Sequence, residues 1–192
     1  ALIVVPTLLA GAPDAGSVAL VRILSSAGHK PIVVSSGGRL TSEAEAAGAT
    51  CITLDVASRS PIAMLRNVFA LKRVIRERRC DLVHAHGRTA AWSAYFAARM
   101  TGVPFITTWY KGFRQQNAFK RLYNSVMVRG TRVIAVSDQI AELINDRYGT
   151  ACDRITVVPA SVDLERFDPS AVSRDRTDAV RSAWGVGPNE RI

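Results

Sequence analysis

The stretch Asp81–Phe113 contains a strand, a polar turn, a helix and a second strand, and it limits the possible folds more than any other part of the sequence. Its apolar start at Leu82 and Val83 predicts a buried strand. The segment 89–100 is alanine-rich, with aromatic residues at helical spacing, and predicts a packed helix. The β-branched and aromatic run 105–108 predicts the next strand. Polar residues follow both strands directly, and in open α/β sheets that edge binds ligands.

The same alternation of short apolar strands and helices extends along the rest of the chain. Further strands are predicted at 2–5, 31–35, 51–54, 132–136 and 155–158. Continuous apolar strands separated by helices are typical of a parallel sheet that is covered on both faces. The predicted fold class is therefore α/β, with a Rossmann-like parallel sheet and helices on both of its faces.

The expected positions of two helices bear on the candidate site and on the surface. Glycines in the stretch Leu8–Gly16 predict a turn, so the first helix is expected from about Ser17. A later helix is expected over 62–79, and its apolar face is expected to bury Leu65 and Phe69.

The charge of the chain favours anionic partners. The 192 residues carry a formal net charge of +9 and 48% of them are hydrophobic, which suffices for one full core. Phosphates, nucleotides, acidic lipid headgroups and nucleic acid all match a sequence pI of about 10.2. Ordinary solubility is the alternative explanation of the same charge.

Several classes of site are disfavoured by what the sequence lacks. Its three cysteines are far apart and form no CxxC pair, which argues against a disulfide framework or a zinc site and favours a reducing cytoplasm. His84 and His86 lie two residues apart but lack an obvious third ligand, so no metal is predicted. The dinucleotide-binding fingerprint, the Walker A loop, the esterase elbow and an Asp-x-Asp pair are all absent from the sequence.

Candidate catalytic residues follow the two central strands. His86 is expected to reach a cleft, where it can donate a hydrogen bond to a substrate hydroxyl or take its proton, whereas His84 is expected to be buried. Arg88 and Lys111 can pair with phosphate or carboxylate oxygens. The alternative, that both are solvated cations at the surface, explains their presence equally well. Tyr110 can donate a hydrogen bond but is a poor base at neutral pH.

Glycine-containing turns supply candidate substrate contacts, because glycine lets the backbone approach a ligand closely. Each turn alone is a weak indication, since many tight turns contain glycine. Together they predict a cleft for an anionic ligand along one edge of the sheet. The candidate substrate-binding residues are Gly11, Gly16, Gly37, Gly38, Arg39 and Ser137.

The chain resembles the N-terminal, acceptor-side domain of family 4 glycosyltransferases, which have the two-domain GT-B architecture. The resemblance covers nearly the whole chain, and it rests on the order and spacing of six stretches. These are Ala27–His29, Ser36–Leu40, Asp81–His86, Gly102–Thr108, Val133–Ser137 and Val162–Phe167.

The resemblance implies an enzyme that moves a sugar from a nucleotide-sugar donor to a cell-envelope saccharide or glycolipid acceptor, with retention of configuration and without a metal or other cofactor. It implies one domain over 1–184 and a linker over 185–192 toward a missing C-terminal domain that binds most of the donor. The fragment alone is therefore expected to be inactive. Its part in the reaction would be the acceptor pocket, with cations or backbone amides near the leaving diphosphate.

The chain departs from the family pattern in several turns. Gly11–Gly16 lacks the Gly-Gly pair of the first turn, and Tyr110 lies where the family has a histidine near the reacting sugar. Pro159-Ala160-Ser161 lies where the family has a glycine, and the sequence after His86 is also unusual. These departures leave open a non-catalytic module of the same fold that binds sugar or phosphate.

The basic and aromatic segment 110–129 predicts contact with an anionic membrane surface, since related enzymes often dock on membranes to reach lipid-linked acceptors. A core-packed amphipathic helix with a basic outer face is the alternative. The expected location is the cytoplasm, either in solution or peripherally at the inner face of the membrane. No nucleic-acid motif is present in the sequence, so specific binding of nucleic acid is not expected.

Overall fold

The computed structural model describes residues 1–113, 117–160, 167–187 and 190–191. Within these ranges the strands are β1 Leu2–Val4, β2 Ile32–Ser35, β3 Thr50–Thr53, β4 Val83–Ala85, β5 Phe105–Trp109, β6 Arg132–Ala135 and β7 Ile155–Val157. The helices are α1 Ala12–Ser26, α2 Thr41–Ala46, α3 Pro61–Glu77, α4 Arg88–Thr101, α5 Ala118–Asn124, α6 Asp138–Tyr148 and α7 Arg174–Ala183. Short 3-10 helices cover Ser125–Val128, Cys152–Arg154 and Pro169–Ala171.

The described strands form one parallel sheet in the order β3-β2-β1-β4-β5-β6-β7. β1 lies next to both β2 and β4, and Leu2 is opposite Ile32 on one side and Val83 on the other. The strand order therefore reverses its direction between β1 and β4. In open α/β sheets, the ligand crevice forms outside the carboxyl ends of the strands at such a reversal. The predicted fold class is confirmed.

Helices cover both faces of the sheet, and each face has its own apolar core. Successive strand residues point to opposite faces, so Leu2 and Val4 contact one layer while Ile3 and Val5 contact the other. The first core packs against α3, α4 and α6, and the second packs against α1 and α2. Burial on both faces explains why the strands are continuous apolar runs rather than alternating ones.

α1 begins at Ala12 and not near Ser17, so the expected start of this helix is wrong. A proline lies in its first turn, and the Asp14 carboxylate accepts a hydrogen bond from the N–H of Gly11, the residue before the helix. Proline and an acidic residue both favour a helix start at this point, and they outweigh the nearby glycines. Gly16 therefore lies inside the helix rather than in a turn.

The apolar surface of α3 is wider than the stripe that the helix buries. Val68, Leu71 and Ile75 are buried, whereas Leu65 and Phe69 are 59% and 54% exposed. The expected burial of these two side chains is therefore wrong. Phe69 lies about 100° round the helix axis from Val68, outside the stripe that packs into the core.

The chain divides into two compact units, Ala1–Ala160 and Ser161–Ile192. The first unit contains the whole sheet, and the second contains α7, which begins after a Ser173 cap. The expected domain over 1–184 and the expected linker over 185–192 stay predictions. Every helix in the described ranges is too short or too polar to span a bilayer.

Candidate active site

The candidate site lies where β1, β4 and β5 end, because parallel neighbours present their carboxyl ends at one edge. His84 lies in β4 and His86 directly follows it. Side chains two residues apart along a strand point the same way, and the centroids of these two rings are 4.2 Å apart. Gly87 has a φ of +133°, a conformation that favours glycine, and the chain turns there into α4.

His84 is buried in the sheet, as the sequence predicts. Its Nε2 atom lies 2.8 Å from Oγ1 of Thr108 in the neighbouring strand. Burial lowers the pKa of His84 from 6.5 to about 4, so the ring is neutral at pH 7. This ring is a satisfied polar group in the core rather than a group that is free to react.

His86 does not reach an open cleft, which corrects the expectation from the sequence. Its side chain is only 2% exposed, because its Nδ1 atom pairs with the hydroxyl of Tyr110 at 2.8 Å and the phenol covers the ring. The other ring nitrogen, Nε2, is buried without a hydrogen-bond partner in the described part of the chain. Burial, and then the nearby His84, lower the pKa of His86 well below 6.5.

Tyr110 fills the space between β5 and α1. A Cβ atom added at Gly16 would lie 2.3 Å from the Tyr110 hydroxyl, so only glycine at this helical position leaves room for the phenol. Burial, and then the negative charge of Asp14, raise the pKa of Tyr110 to about 12. The phenol is therefore protonated at neutral pH and can donate a hydrogen bond. Gly16, expected as a phosphate or sugar contact, packs instead against this ring.

Asp14 organises the turn after β1, a role that the sequence analysis missed. Its Oδ2 atom accepts the backbone N–H groups of Leu9, Ala10 and Gly11 at 3.1, 3.1 and 2.9 Å. Three N–H groups that could bind a phosphate are thus engaged by the chain's own carboxylate. The Gly11 N–H, expected to contact substrate, is one of them. An acidic residue three positions after Gly11 is the pattern that could have revealed the contact.

The turn after β2 packs on the turn after β1. A Cβ at Gly38 would lie 2.3 Å from the backbone oxygen of Leu8, so this glycine permits a close backbone approach, though to protein and not to a ligand. The Leu8 N–H donates to the carbonyl of Gly37 at 3.0 Å. Arg39 donates through Nε to the carbonyl of Leu9 at 2.9 Å. All three expected substrate contacts of this turn therefore also support the neighbouring turn.

Arg88 occupies the first position of α4, beside the candidate histidines in sequence. Its Nη1 donates to Oδ1 of Asn124 at 2.7 Å, and its guanidinium lies 4.7 Å from the ring centroid of Phe113 and 5.9 Å from that of Tyr123. No acidic partner of Arg88 is found among the described residues. The Nδ2 atom of Asn124, which is fully buried, also has no partner there. This half-buried cation is therefore held in place by neutral groups, and no acidic side chain of the described residues compensates its charge.

Two candidates remain, Lys111 and Ser137, and none of the contacts found for them in the described residues is to His84 or His86. Lys111 follows Tyr110 and is exposed. The hydroxyl of Ser137 accepts the N–H of Ile140 at 3.3 Å and caps α6, so its lone pairs are partly used by the helix. Their expected roles toward substrate stay predictions.

The structure thus brings His86, Tyr110 and Gly16 into contact at one edge, with Asp14 ordering the turn beside them. At pH 7 both histidines of the edge are neutral, so they act there as hydrogen-bonding groups. No group of three or more metal-ligating side chains is found in the described ranges.

Comparison with known proteins gives the family. The family model for Glycosyltransferase Family 4 matches residues 17–166, most of the chain. The chain belongs to glycosyltransferase family 4. It is 30% identical over 103 residues to a D-inositol 3-phosphate glycosyltransferase of Nocardiopsis dassonvillei, with 47% of this chain and 24% of that protein covered. It is 24% identical over 129 residues to an α-1,3-galactosyltransferase of Escherichia coli that acts on GlcNAc-diphosphoundecaprenol, with 63% of this chain and 33% of that enzyme covered.

Solved structures give the same fold. A glycosyltransferase from Rickettsia africae superposes with a TM-score of 0.82 at 28% identity, covering 98% of this chain and 50% of the other. Anabaena Alr3699/HepE in complex with UDP-glucose superposes with a TM-score of 0.75 at 16% identity, again over 98% and 50%. The second likeness shows the fold alone. This family 4 chain thus spans about half the length of these structures and a smaller share of its curated relatives.

Proposed function

We propose that this chain is the acceptor-side half of a glycosyltransferase that moves a sugar from a nucleotide-sugar donor to a saccharide or glycolipid acceptor of the cell envelope, with retention of configuration. The observation that carries the proposal is membership of family 4 over residues 17–166. The galactosyltransferase of Escherichia coli acts on a diphosphoundecaprenol-linked sugar, and the Anabaena structure holds UDP-glucose, which supports this substrate class.

In this proposal the carboxyl edge supplies fixed polar groups rather than a base. His86 and Tyr110 are neutral at pH 7, so Tyr110 would hold the imidazole ring in place and the Nε2 atom of His86 would form a hydrogen bond to an oxygen of the sugar. Arg88 would stabilise the charge that develops on the leaving diphosphate, with exposed Lys111 as a second cation. Donor binding would rest mainly on a second domain, without a metal cofactor, so the chain alone would not transfer sugar.

The test is a nucleotide-sugar assay on the full-length protein and on residues 1–192 alone. Nucleotide release and product formation are measured with UDP-, GDP- and ADP-sugars and with diphosphate-lipid acceptors, and the product's anomeric configuration is read by NMR. Arg88→Ala should lower kcat/KM by about tenfold or more, because charge-assisted hydrogen bonds to phosphate are lost. Arg99→Ala, an exposed arginine in the last turn of the same helix, is the matched control.

The alternative is a non-catalytic module with the same fold, and the altered turns at Tyr110 and Pro159–Ser161 favour it. Nucleotide-sugar binding by the full-length protein without turnover, across all donors tried, would support the module and end the transferase proposal. Turnover with equal rates for the wild type and Arg88→Ala would keep the transferase but remove Arg88 from the site.

The same chain also carries features of a membrane-facing surface, and we propose that α5 contacts anionic lipid. Phe119 and Leu122 are 85% and 57% exposed there, beside the exposed cation Arg121. A groove of about 450 Å³ next to α5 is lined by Arg121, Leu122 and Arg129, which combine positive charge with apolar walls. Residues 61–129 contain thirteen Lys and Arg but two Asp and Glu, so they account for the positive charge of the chain.

Not every residue of the segment 110–129 supports this surface. Phe113 lies with its ring centroid 4.7 Å from that of Trp109, and Tyr123 is half-buried beside Arg88. The alternative of a core-packed segment therefore accounts for these two aromatic residues. The lipid proposal rests on the outer side of α5.

Binding to vesicles separates the two explanations. With equal parts of phosphatidylglycerol and phosphatidylcholine, the double change Lys120→Glu and Arg121→Glu should weaken binding by about tenfold or more, since each basic residue near such a surface contributes about 1 kcal/mol. Arg174→Glu with Arg176→Glu in α7 changes the net charge equally and is the control. Equal losses in both variants would show that net charge alone drives binding, and no loss in either would refute the surface.

A further inference from the structure

The hydroxyl of Tyr110 and the Nδ1 atom of His86 form one buried contact at 2.8 Å. We infer that Tyr110 is a positioning residue that donates its proton to Nδ1 and fixes His86 in the Nε2–H tautomer, so that His86 serves the site as a hydrogen-bond donor through Nε2. The role of Nε2 toward a substrate rests on the proposed transferase function, and the inference gives the hydrogen bond between Tyr110 and His86 a direction that the sequence leaves open.

The direction of the hydrogen bond follows from the partners that each group has. The phenol carries one proton, and Nδ1 of His86 is the hydrogen-bond partner that the described residues give it. Asp14 lies close enough for its charge to act on the phenol, but the hydrogen bonds found for its carboxylate in the described ranges come from the Thr7 hydroxyl and from three backbone N–H groups, and none comes from Tyr110. A phenol whose pKa is about 12 stays protonated, and a neutral imidazole has one nitrogen that accepts. Tyr110 is therefore the donor and Nδ1 the acceptor.

The proton of the neutral ring must then lie on Nε2. That atom is buried without a partner in the described ranges, whereas the neighbouring His84 has its Nε2 paired with Thr108. A buried N–H group without an acceptor is costly, and such groups in native proteins find a partner in a ligand or in water. An oxygen of a sugar, either a hydroxyl or an ether, is an acceptor of the kind that the proposed substrates provide. His86, held by Tyr110, would thus donate a hydrogen bond to an acceptor oxygen of the substrate. It would not act as a base that removes a proton.

The position of the Tyr110 phenol, and with it the tautomer of His86, also depends on Gly16. The phenol can lie at its observed place only because α1 has no Cβ at this position. The tautomer is therefore set by three elements, namely the end of β4, the end of β5 and the first turns of α1. Neither of the two contacts that join them, Tyr110 to His86 and Tyr110 to Gly16, requires a second domain.

Nitrogen NMR on the full-length protein with ¹⁵N-labelled histidine tests the tautomer directly. Long-range proton–nitrogen spectra at neutral pH should show His86 as one neutral tautomer, with a proton on Nε2 and none on Nδ1. Tyr110→Phe removes the hydroxyl alone, and the ring should then exchange between both tautomers. Tyr123→Phe, which deletes another buried hydroxyl that has no described partner, should leave the His86 signals unchanged.

A proton on Nδ1 of His86 in the wild type would overturn the inference, and so would an unchanged tautomer in Tyr110→Phe. The wild-type spectrum decides the matter even where the variant does not fold. Addition of UDP-glucose with the lipid-linked acceptor should shift the Nε2 resonance, and unchanged Nε2 signals at saturating substrate would remove His86 from the binding site.

Turnover adds a readout that separates positioning from mere packing. A ring without a fixed tautomer has Nε2 unprotonated for part of the time, so kcat of Tyr110→Phe should fall while KM for the donor stays nearly constant. A rise in KM with unchanged kcat would contradict a role of this donor in the transition state. Failure to turn over any nucleotide sugar would end the proposed function, yet the tautomer would still be decided by the spectra.

Discussion

Lowering the pH from 7 to 5 should destabilise the fold through its two strand histidines. Burial lowers the pKa of His84 to about 4 and that of His86 well below 6.5. In the unfolded chain both rings titrate near 6.5, so below that pH the unfolded state binds protons that the folded state does not bind. The free energy of unfolding is therefore unaffected by these rings above pH 6.5 and falls as the pH drops toward about 4.

The expected loss is large enough to measure. One pKa unit corresponds to about 1.4 kcal/mol, and pH 5 lies roughly 1.5 units below the unfolded pKa, so His84 alone should lower the free energy of unfolding by about 2 kcal/mol. His86 adds a loss of the same sign. Because a domain of this kind is stable by only about 5 to 15 kcal/mol, the change is a substantial fraction of the total.

Urea unfolding at pH 7, 6 and 5, followed by far-ultraviolet circular dichroism, measures this loss. His84→Gln removes one titrating ring, so its loss between pH 7 and 5 should be about 2 kcal/mol smaller than that of the wild type. His29→Gln, at an exposed histidine, is the control and should behave as the wild type does. An equal loss in His84→Gln and the wild type would refute the reasoning, because His84 would then bind its proton equally in both states.

Two further predictions concern the first turns of α1. Gly16→Ala should destabilise the protein by about 1 to 3 kcal/mol despite the better helix propensity of alanine, because the new Cβ displaces Tyr110; in a Tyr110→Ala background the same change should be neutral or stabilising. Additive effects in this double-mutant cycle would contradict the contact. Asp14→Asn should cost about 1.5 to 3 kcal/mol in urea unfolding, since Oδ2 accepts three N–H groups, whereas Asp138→Asn, exposed in the first turn of α6, should cost a few tenths. Similar losses in both variants would show that only the helix dipole matters.

The sheet could be predicted from the sequence because its strands are local patterns. Leu2–Val4 and Ile32–Ser35 are buried on both faces, and such strands are continuous apolar runs that need no tertiary information to be recognised. The edge of the sheet at which the polar turns meet could be predicted for the same reason, since these turns follow those runs directly. The wide apolar face of α3 was misleading, because hydrophobic spacing does not tell which of Val68 and Phe69 packs into the core.

The contacts inside the site could not be predicted, because they join residues that are distant in the chain. Tyr110 and Gly16 meet only after β5 and α1 have taken their places around the sheet. The contacts of Asp14 are local, yet they were missed because the glycines at 11 and 16 indicated a long turn where a helix begins. Of the expected substrate contacts, Gly38 is therefore a glycine that the protein needs for its own packing, whereas the N–H of Gly11 is engaged by Asp14.

The close approach of Gly38 to Leu8 has a mechanical consequence. The Leu8 carbonyl accepts the N–H of Leu40 at 2.8 Å while the Leu8 N–H donates to Gly37 at 3.0 Å, so the turns after β1 and β2 are linked in both directions. Two loops linked in this way cannot open one at a time. We therefore expect a displacement of the turn after β1 to move the turn after β2 as well, together with Leu40 at the start of α2.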